Sequence, residues 1–391
     1  MKFTYVSFVC LALCSATAAL FLPKPVGAFT RRAAIGAGAA VAAGGLAVVI
    51  KQQQDKKAVP PFTPAPGSLQ GQTILITGGT SGLGLESAKR LASGGAQVIA
   101  TSRSASKGEQ AITAVQEYLK ERGLTTAEDI SYRILDLDDL QSVRATVEGW
   151  KNDEKLKKID VLMNNAGIMA LPNRELTTDG IERQMQSNHL GHFLLTALLA
   201  KQGQLANDAR IVNVSSEAHK FASRSGMDLD YAWKADTPSG SYGAWKSYGQ
   251  SKLANILFTK ELQKRIDSSP NVNWTAVSLH PGAVATDLGR NLFGPENYEK
   301  LKAGEAGIVQ TTIAKTLNYF IKTVEDGATT QVWLADKNSQ GKADVSGVAI
   351  RGGEYLSDCK IQKLGDFATD MNAAARLWKD SEDLAGVSFE V

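Results

Sequence analysis

The chain has 391 residues, with 43 Lys and Arg against 40 Asp and Glu, a net charge of +3. So small an imbalance, with no dense Lys/Arg cluster, argues against nucleic acid as a partner, and a composition 43% hydrophobic and 21% charged excludes a disordered chain. The three cysteines (Cys10, Cys14 and Cys359) and four histidines match neither a disulfide framework nor the spacing of a zinc site, so no metal is expected.

The N-terminal segment reads as an address. Lys2 precedes an apolar run, Tyr5 to Leu22, that ends near Pro23 and the small residues Val26-Gly27-Ala28, the pattern of a secretory signal peptide over residues 1–28. Residues 29–70 read as a transit or anchor segment and linker: Phe29-Thr30-Arg31-Arg32 is basic, Ala33 to Ile50 is apolar, and Val59 to Pro66 is rich in proline. The run 33–50 is just long enough to cross a bilayer, so membrane association through it is one expectation. A signal peptide followed directly by Phe29 and an acid-free basic stretch resembles the bipartite presequence of algae whose plastids are wrapped in extra membranes. The twin arginines also resemble a thylakoid import signal. A cleaved transit sequence, a retained anchor and a lumenal signal therefore compete. A plastid address is expected, with a plain secretory or ER-anchored N-terminus as the alternative.

Residues 71–391 read as one folded domain. Thr73 to Ile76 is a β-rich apolar run, Thr77-Gly78-Gly79-Thr80-Ser81-Gly82-Leu83-Gly84 follows at once, and Leu85 to Ala92 has helical spacing. A second strand is expected over Gln97 to Thr101. This strand–turn–helix–strand order places a dinucleotide pyrophosphate at the helix N-terminus: Gly78 permits the tight turn, Gly82 lets backbone approach the phosphates, and Gly84 lets helix pack on strand. Ser102-Arg103 stands where an NAD enzyme carries an acid for the ribose hydroxyl, and Arg103 can pair with a 2′-phosphate instead. The expected cofactor is therefore NADP(H). Further strands are expected over Tyr132 to Leu137 and Ile159 to Met163, the latter running into Asn164-Asn165-Ala166-Gly167.

The spacing T-G-x-x-x-G-x-G and the N-N-A-G tetrapeptide resemble the short-chain dehydrogenases/reductases. That resemblance implies one Rossmann-type, doubly wound parallel sheet flanked by helices. It also implies that Thr80, Ser81, Leu83, Asp136, Leu137, Asn165, Ala166 and Gly167 join the glycines around the cofactor, with Asp136 facing the adenine.

Tyr248-Gly249-Gln250-Ser251-Lys252 opens a periodic helix that runs to Ile266. Four residues apart, Tyr248 and Lys252 project from one helical face. A free phenol titrates near ~10, and a neighbouring ammonium together with an oxidised nicotinamide lowers that value, so that Tyr248 can exchange a proton with a substrate oxygen. Upstream, Arg210 to Ser216 reads as a buried strand ending in two serines, and downstream Val277 to Gly282 reads as another strand end. In the resembled family the second serine, here Ser216, binds the reacting carbonyl. Asn188 holds a water that relays protons from Lys252, and Lys252 also binds the nicotinamide ribose. Pro281, Gly282 and Thr286 contact the nicotinamide end. His189 and His192 read as structural.

The helix Y-G-Q-S-K-L-A-N-I-L-F-T-K-E-L and the segments Gly353–Lys360 and Ala374–Trp378 are similar to the retinol dehydrogenase-like group. This resemblance implies hydride exchange with a carbonyl or alcohol on an apolar substrate, retinal/retinol-like or another lipophilic aldehyde or ketone, and a homodimer is among the assemblies it implies. Tyr231, Trp233, Tyr242 and Trp245 are expected to form one wall of the pocket, and residues 287–321 another. Two alternatives remain. A protochlorophyllide reductase-like pigment reductase shares the glycine turn and Y-x-x-x-K, but has a cysteine where Ala254 stands. A non-catalytic NADP(H) sensor would keep the turn and lose the tyrosine or lysine.

Overall fold

The computed structural model describes residues 59–124, 130–151, 153, 158–222, 226–233, 242–284, 322–337 and 349–391. The calls on residues 1–58, including the 33–50 span, lie outside the described residues, as do Thr286 and the 287–321 wall. No helix among the described residues is long and apolar enough to cross a membrane. Val59–Val391 forms one compact unit. Leu69 is wholly buried and Phe62 packs against the core, so the packed region takes in part of the proline-rich stretch expected to be linker.

Alternation of strands and helices along the chain builds the sheet. The strands are β1 (Thr73–Ile76), β2 (Gln97–Ser102), β3 (Ile130–Ile134), β4 (Ile159–Asn164), β5 (Leu205–Val214), β6 (Thr275–Leu279), β7 (Tyr355–Ser357) and β8 (Lys360–Ile361). Their spatial order is β3-β2-β1-β4-β5-β6-β7-β8. All neighbours are parallel except β7 and β8. The hairpin joining those two turns through Asp358 and Cys359 at φ 52° and 53°, the left-handed pair a tight two-residue turn demands. Cys359 is buried there as a free thiol, and burial raises it to about 11.

The α-helices of five or more residues among the described residues are α1 (Gly82–Ser93), α2 (Ala105–Glu121), α3 (Leu140–Trp150), α4 (Gly191–Lys201), α5 (Leu229–Trp233), α6 (Ala244–Ser268), α7 (Val324–Ala335) and α8 (Met371–Ala385). They cover both faces of the sheet. Side chains along a strand point alternately to opposite faces, so each central strand must be apolar on both. The row Ile99, Leu75, Leu162, Ile211 and Ala276 runs across one face under α3, α4, α6 and α8. The row Ile76, Met163, Val212 and Val277 lies on the other, under α1, α2 and α7. This is the doubly wound sheet expected from the sequence.

The C-terminal helix α8 is capped by Asp370, whose carboxylate accepts the N–H groups of Asn372 and Ala373, and ends at Gly386 in the left-handed region. Trp378 of α8 stacks on Phe389 at 4.8 Å and meets Phe193 of α4 edge-on at 5.1 Å.

Several boundaries differ from expectation, among them β5, which begins at Leu205 and ends at Val214, before Ser215 and Ser216. β3 ends at Ile134, leaving Asp136 and Leu137 in the following turn, because Asp136 Oδ1 accepts the Asp138 N–H (3.0 Å) and closes the chain into a turn. The helix carrying Tyr248 starts one turn earlier, at Ala244, so Tyr248 does not open it.

Candidate active site

The site forms where the strand order reverses, beyond the C-terminal ends of β1 and β4. Gly78 and Gly82 take φ of +63° and +49°, which side-chain-bearing residues rarely adopt. At Gly84 a Cβ would sit 2.3 Å from the Gly78 carbonyl oxygen and 2.7 Å from Asn165 Nδ2, so helix and turn meet there with no room for a methyl group. Ser81 precedes α1 in an extended conformation but makes no side-chain cap, and no acid lies in the first turn. The leading N–H groups of α1 are thus left to an anionic ligand, as a pyrophosphate requires. The residues present fit a dinucleotide.

Asn165 and Ala166 support this turn from β4. The Thr77 hydroxyl accepts both of their N–H groups, at 2.9 and 3.0 Å, and Asn165 Nδ2 donates to the Thr77 carbonyl at 2.8 Å. Gly167 stands apart from that scaffold. A Cβ on it would be 3.0 Å from Asn188 Oδ1 and 3.3 Å from Lys252 Nζ, so its missing side chain is what lets those groups approach.

At the end of β2, Ser102 Oγ donates to the Ser104 carbonyl and accepts the Ser104 N–H, and Ser102 itself is buried. Arg103 projects outward with 58% of its side chain exposed and Nη1 3.7 Å from Asp138. Asp138 is held more closely by Arg183, at 2.9 Å, which leaves the Arg103 guanidinium available to a ligand. Leu137 lies in the core, its carbonyl oxygen 2.9 Å from where a Gly191 Cβ would be, so only its main chain can face a cofactor.

Tyr248 and Lys252 of α6 are both buried. The Ser216 side chain faces the Tyr248 hydroxyl and favours its ionised form. Ser215, the first of the two serines that follow β5, instead donates to the Lys252 carbonyl at 2.6 Å. Lys252 Nζ donates to the Val214 carbonyl (3.1 Å) and lies 5.7 Å from the Tyr248 ring centroid. Burial lowers Lys252 to about 8. Burial also raises Tyr248 to about 12, against a smaller lowering by Ser216. The expected lowering of the phenol is assigned to the ammonium together with an oxidised nicotinamide; without the dinucleotide, burial dominates.

Asn188 sits in a π-helical turn, Gln186–Leu190, just before α4, a distortion that gathers at functional sites. Both of its amide protons are engaged: Nδ2 donates to the Ile168 carbonyl (3.0 Å) and Ser251 Oγ (2.9 Å), while Oδ1 accepts the Ile168 N–H at 2.8 Å.

Several residues at this end were not singled out by the sequence. His280 Nδ1 accepts the Gly282 N–H at 3.2 Å, so its proton is on Nε2, 3.3 Å from the Glu217 carboxylate. His219 Nδ1 donates to the Ser216 carbonyl at 2.8 Å. Tyr355 stacks on His280 at 5.5 Å and packs edge-on to His219 at 5.2 Å. These contacts hold the Ser216 turn beside the Pro281-Gly282 turn. The H-P-G spacing was the available signal for His280, whereas Tyr355 arrives from more than seventy residues away in the chain.

The expected aromatic wall is corrected. Tyr231 and Trp233 are buried in α5, and the Tyr242 hydroxyl is spent on the Leu171 carbonyl at 2.9 Å. Trp245 is 37% exposed beside Tyr248, and Phe221, 39% exposed, packs against it at 6.1 Å.

The family model for short chain dehydrogenase matches residues 72–227. Retinol dehydrogenase 14 of Homo sapiens is 37% identical over 329 residues, covering 82% of this chain and 88% of the relative. Retinol dehydrogenase 12 of Homo sapiens is 34% identical over 322 residues, covering 82% and 89%. The solved structure of an uncharacterized protein from Mycobacterium Paratuberculosis aligns with a TM-score of 0.58 at 32% identity, covering 85% of this chain and all of that one. With the glycine turn, the buried Tyr248–Lys252 pair and Ser216 gathered at the carboxyl ends of one parallel sheet, and with these relatives, the chain belongs to the short-chain dehydrogenases/reductases, in their retinol dehydrogenase-like branch.

Proposed function

We propose that this oxidoreductase uses NADP(H) to interconvert a carbonyl and an alcohol on an apolar substrate, with Tyr248 as general acid/base. The observation that carries the reading is the buried Tyr248–Lys252 pair, Nζ 5.7 Å from the phenol ring, with the Ser216 side chain facing the hydroxyl. Reduced NADP supplies a hydride when bound. Ser216 and Tyr248 bind the substrate oxygen, and Tyr248 gives it the proton that completes the alcohol. In the reverse direction Tyr248 takes that proton back. A phenol near 12 is a competent donor at neutral pH. To accept a proton it needs further positive charge close by, which an oxidised nicotinamide provides. Lys252 binds the nicotinamide ribose and, with Asn188, returns protons to Tyr248. Pro281, Gly282 and Thr286 are assigned to the nicotinamide end.

The preference for the phosphorylated dinucleotide rests on Arg103, exposed at the end of β2 with no acid in the Thr101–Ser104 segment. Arg103→Asp is expected to weaken NADPH binding by roughly 10–100-fold, the value of about 1.5–3 kcal/mol for a charge-assisted contact, while NAD(H) binding is kept or improved. Fluorescence titration with both dinucleotides checks this. An unchanged preference for NADPH would remove the assignment.

The substrate class rests on the half-exposed Phe221 and Trp245 beside Tyr248 and on relatives named retinol dehydrogenases. A screen of NADPH oxidation with retinal, other long-chain aldehydes and small polar aldehydes tests it. The expected order places the long apolar aldehydes first.

A pH dependence follows from Lys252. Its ammonium is present below about pH 8 and is lost above it. Since NADPH binding is assigned partly to that ammonium, the dissociation constant is expected to rise with pH above 8, by up to about tenfold per unit, whereas Lys252→Met gives a flatter curve. A plastid address through residues 1–70, membrane association through 33–50 and a homodimer belong to the same proposal. Imaging a reporter fused to residues 1–70 and light scattering of the protein test them, with an ER pattern the outcome favouring the alternative address.

A further inference from the structure

We infer that His192 is a positioning residue that couples the cofactor turn to the main-chain carbonyl of Asn188. The inference rests on the reading above, in which Thr77 opens the cofactor turn and Asn188 serves the proton path.

The hydrogen-bond directions leave one arrangement. The Thr77 hydroxyl accepts the N–H groups of Asn165 and Ala166, so its single proton is what remains to donate. His192 Nε2 lies 2.8 Å from that oxygen, and the competing Met163 carbonyl is at 3.4 Å. On the other side of the ring, His192 Nδ1 is 3.1 Å from the Asn188 carbonyl. A carbonyl only accepts, so Nδ1 carries the proton. Burial holds the imidazole neutral, with its titration lowered to about 4, so Nε2 keeps a lone pair and takes the Thr77 proton. Donation thus runs from the Thr77 hydroxyl to His192 and from His192 to the Asn188 carbonyl. The ring is 2% exposed and touches no reacting group described above.

Both ends of this bridge matter. Both protons of the Asn188 amide are given, to Ile168 and Ser251, and its main-chain carbonyl is the group His192 holds. The Thr77 hydroxyl fixes the β4 turn against the glycine turn. Movement of one end is therefore transmitted to the other through a rigid planar ring, and the π-helical turn sets His192 four residues after Asn188 beneath it.

Two amide substitutions separate the ends. His192→Asn keeps a donor near the Nδ1 position and loses the acceptor for Thr77. His192→Gln keeps an acceptor near the Nε2 position and loses the donor to Asn188. In the full-length protein, His192→Asn is expected to raise the KM and dissociation constant for NADPH about tenfold with kcat within threefold of the parent. His192→Gln is expected to lower kcat about tenfold and shift its pH profile, with NADPH affinity within threefold. Equal losses in both parameters for both variants, or no loss in either, would overturn the coupling. If the parent showed no turnover with any aldehyde, the functional reading would fail separately, and the NADPH titrations would still report on the Thr77 end. Nitrogen-15 imidazole spectra of the parent give a readout that needs no variant to be active. The resonance absent from His192→Asn should be a neutral ring protonated on Nδ1 at pH 7. A ring protonated on Nε2, or on both nitrogens, would overturn the proposal.

Discussion

Tyr248→Phe is expected to abolish nearly all turnover while leaving the protein folded and able to bind NADPH. A positioned general acid contributes on the order of 10²–10⁴ to the rate, and Tyr248 is the phenol that Ser216 faces. The substitution removes one hydroxyl from a buried ring. Its partner Ser216 is only half-buried and still accepts the Ala218 N–H at 3.1 Å, so the loss of stability should stay within about 1 kcal/mol. Turnover measured at saturating NADPH and aldehyde, alongside a cofactor titration, separates chemistry from binding. Retention of more than about a tenth of the parent rate would remove Tyr248 from the role assigned by general acid catalysis. Equal loss of NADPH affinity would point to misfolding of α6 instead.

The second large effect is expected from Gly84→Ala, the smallest change that side-chain chemistry allows. The added methyl would stand 2.3 Å from the Gly78 carbonyl oxygen and 2.7 Å from Asn165 Nδ2. Neither neighbour is the free end of a flexible chain. The Gly78 carbonyl is backbone, and Asn165 Nδ2 already donates to the Thr77 carbonyl at 2.8 Å. The helix α1 must therefore move away from the turn. Overpacking of this kind costs about 1–3 kcal/mol, and because the displaced groups are the N–H donors of the helix end, NADPH affinity should fall by roughly 10–100-fold. Calorimetric melting with and without NADPH checks both parts. A variant stabilised by NADPH as strongly as the parent would show that the α1 terminus is not where the cofactor binds.

Much of the architecture was legible because it follows from local rules. Apolar β-rich runs of four to six residues, each followed by a glycine-containing turn and a helical repeat, admit few arrangements other than a doubly wound parallel sheet. The glycines at 78, 82 and 84 were legible because each meets a backbone constraint that another residue would violate. Tyr248 and Lys252 were legible as a pair because four residues on a helix always share a face.

Other features depended on distance in space. Nothing in the pair Ser215-Ser216 says which hydroxyl meets Tyr248; α6 crossing the end of β5 decides it, turning Ser215 to the Lys252 carbonyl. Trp233, Tyr231 and Trp245 look alike in sequence, and only packing sends the first two into the core and leaves Trp245 beside the site. The sequence assigns the lowering of the Tyr248 phenol to Lys252 and an oxidised nicotinamide together, and only the fold shows how strongly burial raises it before a dinucleotide binds. His192 reads as one more histidine until the fold brings Thr77, 115 positions earlier in the chain, within 2.8 Å of its ring. The sequence by itself determined the sheet, the glycine turn at its switch point and the shared helical face of Tyr248 and Lys252, since backbone sterics and helical periodicity act over a few residues. Tertiary structure alone decided burial, hydrogen-bond direction and titration, because these depend on which distant segments close over each side chain.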